Sequence, residues 1–417
     1  MDSKKTRKIN GAALIGTHVS WAALSLFIST FLIAQLMYET HSNMAIIAIF
    51  FLVTYIFLFL FYALFAYIVK KYSSVWCMRI GVVINVLLIC LICAFHTKIV
   101  GLYLLFAVLN GISGGIYWIS FNGFLAETMG GSDMLKFQAY LNIIGSIASV
   151  LLPLSLGALI QFVNFFVAAI VAAVIGVILI IFTFIMQIDK ERNHLSYRKF
   201  FRLISEKKLW KPIWLNFVLQ FFAGLFGTSG ICAVILIAIV FGDSFSLGYL
   251  TSIFSGVAIF LLLFYRMFKS RRVKNNIHLI SAVFALLLPV ALLFHVNKTT
   301  VILFEFASIV LTMIPNIEVG KLQCDVMKDL GHESMTTESL VLVEFAYFLA
   351  RMVAMLFILL AYYVYTKTQS IMFFGIITVV FMCGTLAAYI LFRVWWGLYQ
   401  NMIPRSPIPQ KIKKNRQ

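Results

Sequence analysis

The segment 189–211 constrains this sequence most, because it is strongly charged and stands between long hydrophobic runs. It reads DKERNHLSYRKFFRLISEKKLWK and carries eight Lys and Arg residues. Six apolar runs precede it and six follow it, each of about 20 residues. A Lys or Arg at the centre of a membrane helix costs roughly 2.5–3.5 kcal/mol, so the segment must lie at one membrane face. Its mixture of apolar and basic residues suits a helix lying along the membrane surface, and a solvated linker is the alternative.

The composition is that of a helical protein that crosses a membrane many times. Hydrophobic residues make up 62% of the 417 residues, charged residues make up 12%, and the mean hydropathy is +1.00. A hydrocarbon core of about 30 Å requires about 20 apolar residues per helical crossing, and each run supplies them. The net charge of +18 is concentrated in loops and tails beside the runs. There it sets orientation and attracts anionic lipids, so we exclude nucleic acid as a partner.

These runs predict an all-α membrane protein with about twelve transmembrane helices. We expect an N-terminal six-helix bundle (1–188), a basic linker (189–211), a C-terminal six-helix bundle (212–396) and a basic tail (397–417). Lys and Arg concentrate in the even-numbered connections. This asymmetry predicts a multi-pass protein of the cell membrane whose linker and two termini are cytoplasmic.

Two glycine patterns predict local structure within the runs. Gly111 and Gly115 are four residues apart, the spacing that lets two helix backbones approach closely. Gly224, Gly227 and Gly230 recur at intervals of three residues in the seventh run. They predict a helix that is bent or weakened there.

Twelve spans divided six and six by a basic cytoplasmic loop resemble the major facilitator superfamily of secondary transporters. Residues 126–129 (AETM) parallel residues 324–327 (CDVM) after the fourth and tenth spans, which agrees with a duplicated half. The resemblance implies two six-helix bundles, related by pseudo-two-fold symmetry, around a cavity that opens to each side in turn. The family's signature loop after the second span is altered here. Ala66, Lys70 and Ser73 replace its Gly, Asp and Gly, which argues against a drug–proton antiporter and leaves the superfamily resemblance intact.

The resemblance places the first, fourth, seventh and tenth helices around the cavity, so their polar and aromatic residues are candidates for binding a substrate. An arginine deep in the eleventh helix joins them, because a charge at that depth is costly unless it is paired or functional. The candidate substrate-binding residues are Asn110, Tyr117, Trp118, Asn216, Gln220 and Arg351. The alternatives are interhelical hydrogen bonds for the amides, lipid-facing positions for the aromatic residues and a structural ion pair for the arginine.

Three carboxyl groups within the spans, Glu305, Glu318 and Glu344, are candidates for proton coupling. Burial penalises a charge, so a carboxyl whose burial changes with conformation can take up and release a proton. An ion pair with Lys321 is the alternative role for Glu318. Glu344 precedes Arg351 on nearly the same helix face. Their separation of about 10 Å along the axis predicts a contact bridged by water or Glu318, with Glu305 as a competing partner. On an ideal helix Glu305 lies about 220° from Glu318, which predicts a different partner for Glu305 or a position in the outer vestibule.

These features predict a secondary active transporter for a small organic molecule, with a proton as the coupling ion. We expect a monomer in contact with membrane lipids, without enzyme activity and without a bound cofactor or metal. Export is favoured, because the candidate cavity helices are rich in aromatic residues and poor in fixed charge; an uptake permease of the same superfamily is the alternative. A membrane-embedded receptor or transferase is the competing class. It would require a long soluble domain or a convergent His/Asp cluster, and the sequence shows neither.

Overall fold

The regular structure is entirely helical in the part of the chain that the computed structural model describes, which is residues 3–128, 131–187, 195–206, 210–268, 270–320 and 336–402. Six helices precede the linker. They are α1 (Ser3–Leu26, continuing through a π-helical stretch Phe27–Leu32 into Ile33–Glu39), α2 (Met44–Lys71), α3 (Ser74–Ala94), α4 (Ile99–Thr128), α5 (Gly131–Phe162) and α6 (Phe165–Ile185).

The linker helix and the second half follow in the same style. They are α7 (Tyr197–Glu206), α8 (Trp210–Gly227 and Ser229–Val240), α9 (Ser244–Met267), α10 (Arg271–Leu287, continuing as a 3-10 helix Leu288–Leu293), α11 (Lys298–Phe306, a π-helical stretch Ala307–Leu311 and a last stretch 313–320), α12 (Thr336–Thr368) and α13 (Met372–Met402).

Eleven helices in these described ranges are long and apolar enough to cross a membrane. The fifth predicted span corresponds to α5, in which Ile147–Phe162 forms a shorter apolar helix. The predicted all-α membrane fold is therefore confirmed. The four predicted parts of the chain stay a prediction, and residues 188–194, 207–209 and 403–417 of the linker and tail lie outside the described residues.

Side-chain caps begin four of the helices. Asn43 Oδ1 accepts from Ala45 N at 3.1 Å at the start of α2, and the N-cap residues of α6, α9 and α11 bond their own first turns in the same way. These caps satisfy N–H groups that a helix start leaves without partners. They all lie at the end of the bundle opposite the linker.

Four of the described helices, α1, α8, α10 and α11, depart from regular α-helical geometry, and the departures in α8 and α11 lie near candidate residues. The predicted weakness of the seventh span is confirmed, because α8 is interrupted at Thr228, directly after Gly227. Thr228 Oγ1 donates to Leu225 O at 2.6 Å and so satisfies one carbonyl at the break. The π-helical stretch Ala307–Leu311 changes the rotation of α11 between its two buried acids.

The glycine pair of α4 lets this helix approach α2 closely, as predicted. A Cβ atom on Gly111 would overlap Thr54 O, and one on Gly115 would overlap Leu58 O and lie 2.9 Å from Tyr62 N. Thr54 Oγ1 also donates across the contact to Ala107 O at 3.2 Å. The backbones themselves are therefore in contact, which fixes the depth of α2 relative to α4.

The two halves meet along two antiparallel helix pairs, α2 with α12 and α5 with α9. In the second pair Gly157 and Gly248 face each other, and Ser252 Oγ donates to Val150 O at 2.6 Å. We call the end of the bundle that carries the end of α2, α7 and the start of α12 the linker end. The α2–α12 pair and the α5–α9 pair each join one helix of the first half to one of the second half, which agrees with the pseudo-two-fold arrangement.

Candidate functional site

An ion pair lies near the middle of α12. Arg351 Nη1 donates a hydrogen bond of 2.7 Å to Glu344 Oε1. At 1.5 Å per residue, Arg351 is about 22 Å from the start of the helix at Thr336, close to the midpoint of a membrane crossing. The side chain of Arg351 is 24% exposed and that of Glu344 is 14% exposed. The pair is thus deep in the protein and partly exposed.

The direct contact corrects the sequence prediction of a bridged one. Helical side chains lean toward the N-terminus of their helix, so the long Arg351 side chain reaches back over two turns to Glu344. Neither Glu305 nor Glu318 takes part, because each has hydrogen-bond partners on another helix. The guanidinium charge is therefore neutralised within α12 itself.

Two tyrosine rings hold the guanidinium of Arg351. Its Cζ atom lies 5.0 Å from the ring centroid of Tyr55 on α2 and 5.2 Å from that of Tyr347 on α12. Such cation–π contacts stabilise a cation where water is scarce. Because Tyr55 belongs to the first half and Arg351 to the second, the ion pair sits on the boundary between the halves.

The boundary continues toward the linker end as an aromatic stack and then a second ion pair. The rings of Phe59 and Phe348 stack with centroids 4.8 Å apart. Further along, Lys70 Nζ lies 2.6 Å from Glu338 Oε2, with the two side chains 5% and 0% exposed. The halves are therefore in tight contact at the linker end.

The linker takes part in this second ion pair. The backbone N–H of Ser196 donates to Glu338 Oε1 at 2.9 Å, so both carboxylate oxygens of Glu338 have partners. A buried ion pair is tolerated when further hydrogen bonds complete it. The pKa of Tyr197, the first residue of α7, is raised by its partial burial and, second, by the negative charge of Glu338.

Aromatic rings of α1 and α4 form a cluster within the first half. Trp21 and Tyr117 stack in parallel with centroids 3.8 Å apart, and both are buried. His18 stacks on Phe121 at 4.7 Å, and Trp118 meets His18 edge-on at 5.8 Å. Trp118 is 37% exposed and Tyr117 fully buried. Of the two predicted aromatic residues, Trp118 offers a free ring surface and Tyr117 supports the cluster from behind.

Helix α2 relates the depth of this cluster to that of the Arg351 ion pair. Gly115 of α4, one turn before Trp118, packs against Tyr62 of α2, and Tyr55 lies two turns earlier on α2, against Arg351. Trp118 contacts α1 on one side and adjoins the α2-facing glycines on the other. Trp118 therefore belongs to the first half and lies about 15 Å nearer the linker end than Tyr55 and the ion pair, at 1.5 Å per residue.

The predicted amide residues have different surroundings. Gln220 Nε2 donates to Asn216 Oδ1 at 3.2 Å, and both residues are buried on α8. Gln220 Oε1 has no hydrogen-bond partner among the described residues. One turn further on, a Cβ atom on Gly224 would lie 2.7 Å from Ala350 Cβ, which places α8 directly against the helix that carries the ion pair. Asn110 is half-buried.

Glu305 is buried at the other end of the second half, away from the ion pair. Thr251 Oγ1 donates to its Oε1 at 3.2 Å, and Ser308 Oγ donates to its Oε2 at 3.2 Å. Both carboxylate oxygens are thus hydrogen-bonded between α9 and α11. The site is polar and satisfied without a cation from the described residues.

Glu318 is buried at the linker end of α11. The Tyr265 hydroxyl donates a short hydrogen bond to Glu318 Oε1, and Arg271 Nη2 lies 3.9 Å from Oε2. Glu305 and Glu318 have different partner residues, as expected, although both accept hydrogen bonds from α9. The π-helical stretch between them changes the ideal rotation. Lys321, the predicted alternative partner, lies outside the described residues, as do residues 324–327.

Sequence reasoning missed Glu338 and the two tyrosines beside Arg351. The available signals were that Lys70 stands at an acidic position of the signature loop, and that Glu338 is the acid nearest the start of the eleventh span. Tyr347, one turn before Arg351, was a further signal. Only the structure shows that Lys70 pairs with Glu338 and that Tyr55 contacts Arg351 across the two halves.

Residues 13–318 match the family model described as Major Facilitator Superfamily. The chain belongs to the Major Facilitator Superfamily. The match covers most of the chain and includes α1–α6, α7–α10 and the three helical stretches of α11 up to Glu318. A comparison with curated proteins finds no matching relative.

Solved structures of superfamily transporters share the fold. A variant of the nucleoside transporter NupG aligns with a TM-score of 0.65 and 15% identity, over 95% of this chain and 100% of that chain. The POT family transporter PepTSo aligns at 0.68 and 10%, over 95% and 98%. The E. coli fucose:proton symporter FucP aligns at 0.61 and 13%, over 94% and 99%. At these identities the likeness shows the fold, and together with the family it supports secondary transport as the general activity.

Proposed function

We propose that this superfamily member is a proton-coupled exporter of a small organic molecule with a ring and one strongly polar group. The observation that carries the proposal is the Arg351–Glu344 ion pair, which lies at mid-membrane depth, on the boundary between the halves and partly exposed. Substrate sites of secondary transporters lie near the bilayer midplane between the repeats. The other charged side chains described above lie nearer the helix ends.

The side chains around the ion pair suit a ring-containing substrate. Tyr55 and Tyr347 flank the guanidinium, and Trp118 presents a partly exposed ring from the first half. Aromatic rings stack on flat ligands, while one charged or amide group fixes orientation. We assign Arg351 and Trp118 to direct contact, Gln220 and Asn216 to hydrogen bonding from α8, Tyr117 to support of Trp118, and Asn110 to the α4 wall.

Proton coupling is assigned first to Glu344. Its carboxylate neutralises Arg351 at 2.7 Å, so protonation of Glu344 or binding of a substrate group must break the same ion pair. If a donor group of the substrate binds the Glu344 carboxylate, it excludes the proton from that carboxylate. Substrate and proton then cross in opposite directions, so an inward proton gradient drives export of the substrate. Glu305 and Glu318 already accept hydrogen bonds within the second half, and we rank them below Glu344.

Uptake by symport is the second candidate, and a specific contact favours it. If an anionic substrate group binds the Arg351 guanidinium, protonation of Glu344 assists binding, because it removes the competing carboxylate. Substrate and proton then travel in the same direction. The sign of the coupling therefore depends on which member of the ion pair the substrate binds.

The linker end is proposed to be the cytoplasmic end, and Lys70–Glu338 its gate. The basic residues of α7 and of the start of α10 lie there, as the positive-inside rule requires of a cytoplasmic face. Opening this end must separate α2 from α12 and thus Lys70 from Glu338. We further propose a monomer in the cell membrane with both termini cytoplasmic.

A ligand screen by thermal stabilisation tests the proposal first. A ligand at 100 times its Kd raises the stability of the folded state by about 2.7 kcal/mol. Purified protein and an Arg351→Gln/Glu344→Gln variant are heated with a panel of ring-containing metabolites and drugs. We expect at least one compound to raise the Tm of the wild type and leave the variant unchanged. Equal stabilisation of both by every active compound would place binding elsewhere.

A further inference from the structure

We propose that α7 and the start of α8 form a binding surface for anionic lipid headgroups, and that this surface favours closure of the linker-end ion pair through the backbone of Ser196. The gating part rests on the proposed function of Lys70 and Glu338. The lipid-binding part rests on the described side chains alone.

One face of α7 fixes the helix to the second half. Phe200 and Ile204 are buried in a cluster that includes Ile213 of α8 and Trp395 of α13. Because α7 packs against α8 and α13, it moves together with the second half. A ligand bound to the outer face of α7 therefore acts on the position of these helices.

The outer face of α7 is basic. Arg198, Lys199 and Arg202 are exposed, as is Lys211 at the start of α8. The only acid in the described residues 195–206 and 210–211 is Glu206, which bonds Arg202 at 2.7 Å. The surface therefore keeps a net positive charge that complements anionic headgroups.

Exposed aromatic rings lie beside these charges. Tyr197, Phe201 and Trp210 are 39%, 43% and 51% exposed, and the rings of Phe201 and Trp210 stack at 6.1 Å. Aromatic residues next to basic ones on an amphipathic helix are typical of the membrane–water interface. This combination favours a lipid surface over an aqueous partner.

Ser196 connects the surface to the gate by a backbone hydrogen bond. Ser196 immediately precedes α7, and its N–H donates to Glu338 Oε1 while Lys70 Nζ bonds Oε2. A headgroup that holds α7 in its observed position keeps this donor in place. Anionic lipid should therefore stabilise the closed arrangement of the linker end.

The test compares gate opening in vesicles of phosphatidylcholine alone and of phosphatidylcholine with phosphatidylglycerol. In a chain whose native cysteines are replaced, Ala66→Cys reports opening, because Ala66 is fully buried on α2 near the gate. Maleimide labelling is measured in this background, in Arg198→Gln/Lys199→Gln, and in the matched control Arg266→Gln/Arg272→Gln, whose exposed side chains lie at the same end.

We expect phosphatidylglycerol to slow labelling in the parent and in the control, and to have a much smaller effect in the α7 variant. The factor by which phosphatidylglycerol slows labelling should fall by up to about fivefold for each basic side chain removed. Spin-labelled phosphatidylglycerol should likewise lose its preferential association in the α7 variant. No lipid effect in the parent, an equal effect in the α7 variant, or loss of the effect in the control would overturn the proposal. Neither readout uses a transported substrate, so failure of the proposed transport activity would be seen separately.

Discussion

Lys70 and Glu338 form a buried ion pair between the halves, with Nζ 2.6 Å from Oε2 and the side chains 5% and 0% exposed. Lys70 stands where the superfamily signature has an acid, so this position carries the opposite charge in this chain. The acidic partner is supplied by α12.

Breaking this ion pair should open the linker end. Glu338→Gln leaves Lys70 buried without its carboxylate, and loss of one partner of a buried pair costs about 3–5 kcal/mol. We expect maleimide to label Ala66→Cys faster in Glu338→Gln than in the parent. The control, measured like the variant in phosphatidylcholine alone, is Arg202→Gln, which breaks an ion pair with side chains 80% and 58% exposed and should change stability by about 0–1 kcal/mol. Unchanged labelling in Glu338→Gln would show that the ion pair does not hold the gate.

The contact between α2 and α4 should be intolerant of any side chain at Gly115. A Cβ atom there would overlap Leu58 O, and overpacking against backbone costs about 1–3 kcal/mol. We expect Gly115→Ala to lower the Tm in detergent. Gly101→Ala on the same helix meets nothing within 4 Å and should leave the Tm unchanged or slightly raised. Equal Tm values for the two variants would contradict the backbone contact.

Trp118 should affect ligand affinity more than folding. It is 37% exposed, so Trp118→Ala removes a ring surface without opening a closed cavity. For a ligand found by the stabilisation screen we expect KM to rise about tenfold, or ~1.4 kcal/mol, with little change in Tm. Trp76→Ala, which removes a 53% exposed ring beside Arg79, serves as the control and should leave KM unchanged. A normal KM in Trp118→Ala would remove this residue from the site.

Arg351 can be separated from a purely structural role by a double substitution. Arg351→Gln alone leaves the Glu344 carboxylate without its cation and should be poorly folded, because removing one partner of a buried pair is costly. Arg351→Gln/Glu344→Gln removes both charges, so folding should recover while transport remains absent. Tm and vesicle transport are measured together. Recovery of transport in the double variant would show that Arg351 does not bind the substrate.

The fold was predictable from the sequence because hydropathy and charge report directly on membrane crossing. Gly111 and Gly115 predicted a close helix contact because their spacing places both on one face, and the break after Gly227 followed from glycine recurrence. The direct bond from Arg351 to Glu344 was not predicted, because it depends on how far an arginine side chain extends back along its helix.

The site was predictable only in part, because some of its residues pair with residues of the other half that are distant in sequence. Glu338 lies far from Lys70 in sequence, and no local pattern relates them. Both Glu305 and Glu318 accept hydrogen bonds from α9, which an ideal helix would not predict, because the π-helical stretch Ala307–Leu311 changes the rotation of α11. Long-range partners and helix irregularities both arise from tertiary packing, which periodicity does not encode.

The most direct test of the central claim is substrate movement in sealed proteoliposomes under an imposed pH gradient, with wild type and Glu344→Gln compared. We predict that the gradient drives net substrate movement in the wild type. In the export reading, movement is opposite to the proton flux; in the uptake reading, it follows the flux. Glu344→Gln should lose gradient-driven accumulation in both readings; the ligand should still stabilise this variant in the uptake reading and should not in the export reading. Undiminished accumulation in Glu344→Gln would contradict the claim that substrate and proton compete or cooperate at the Arg351–Glu344 ion pair.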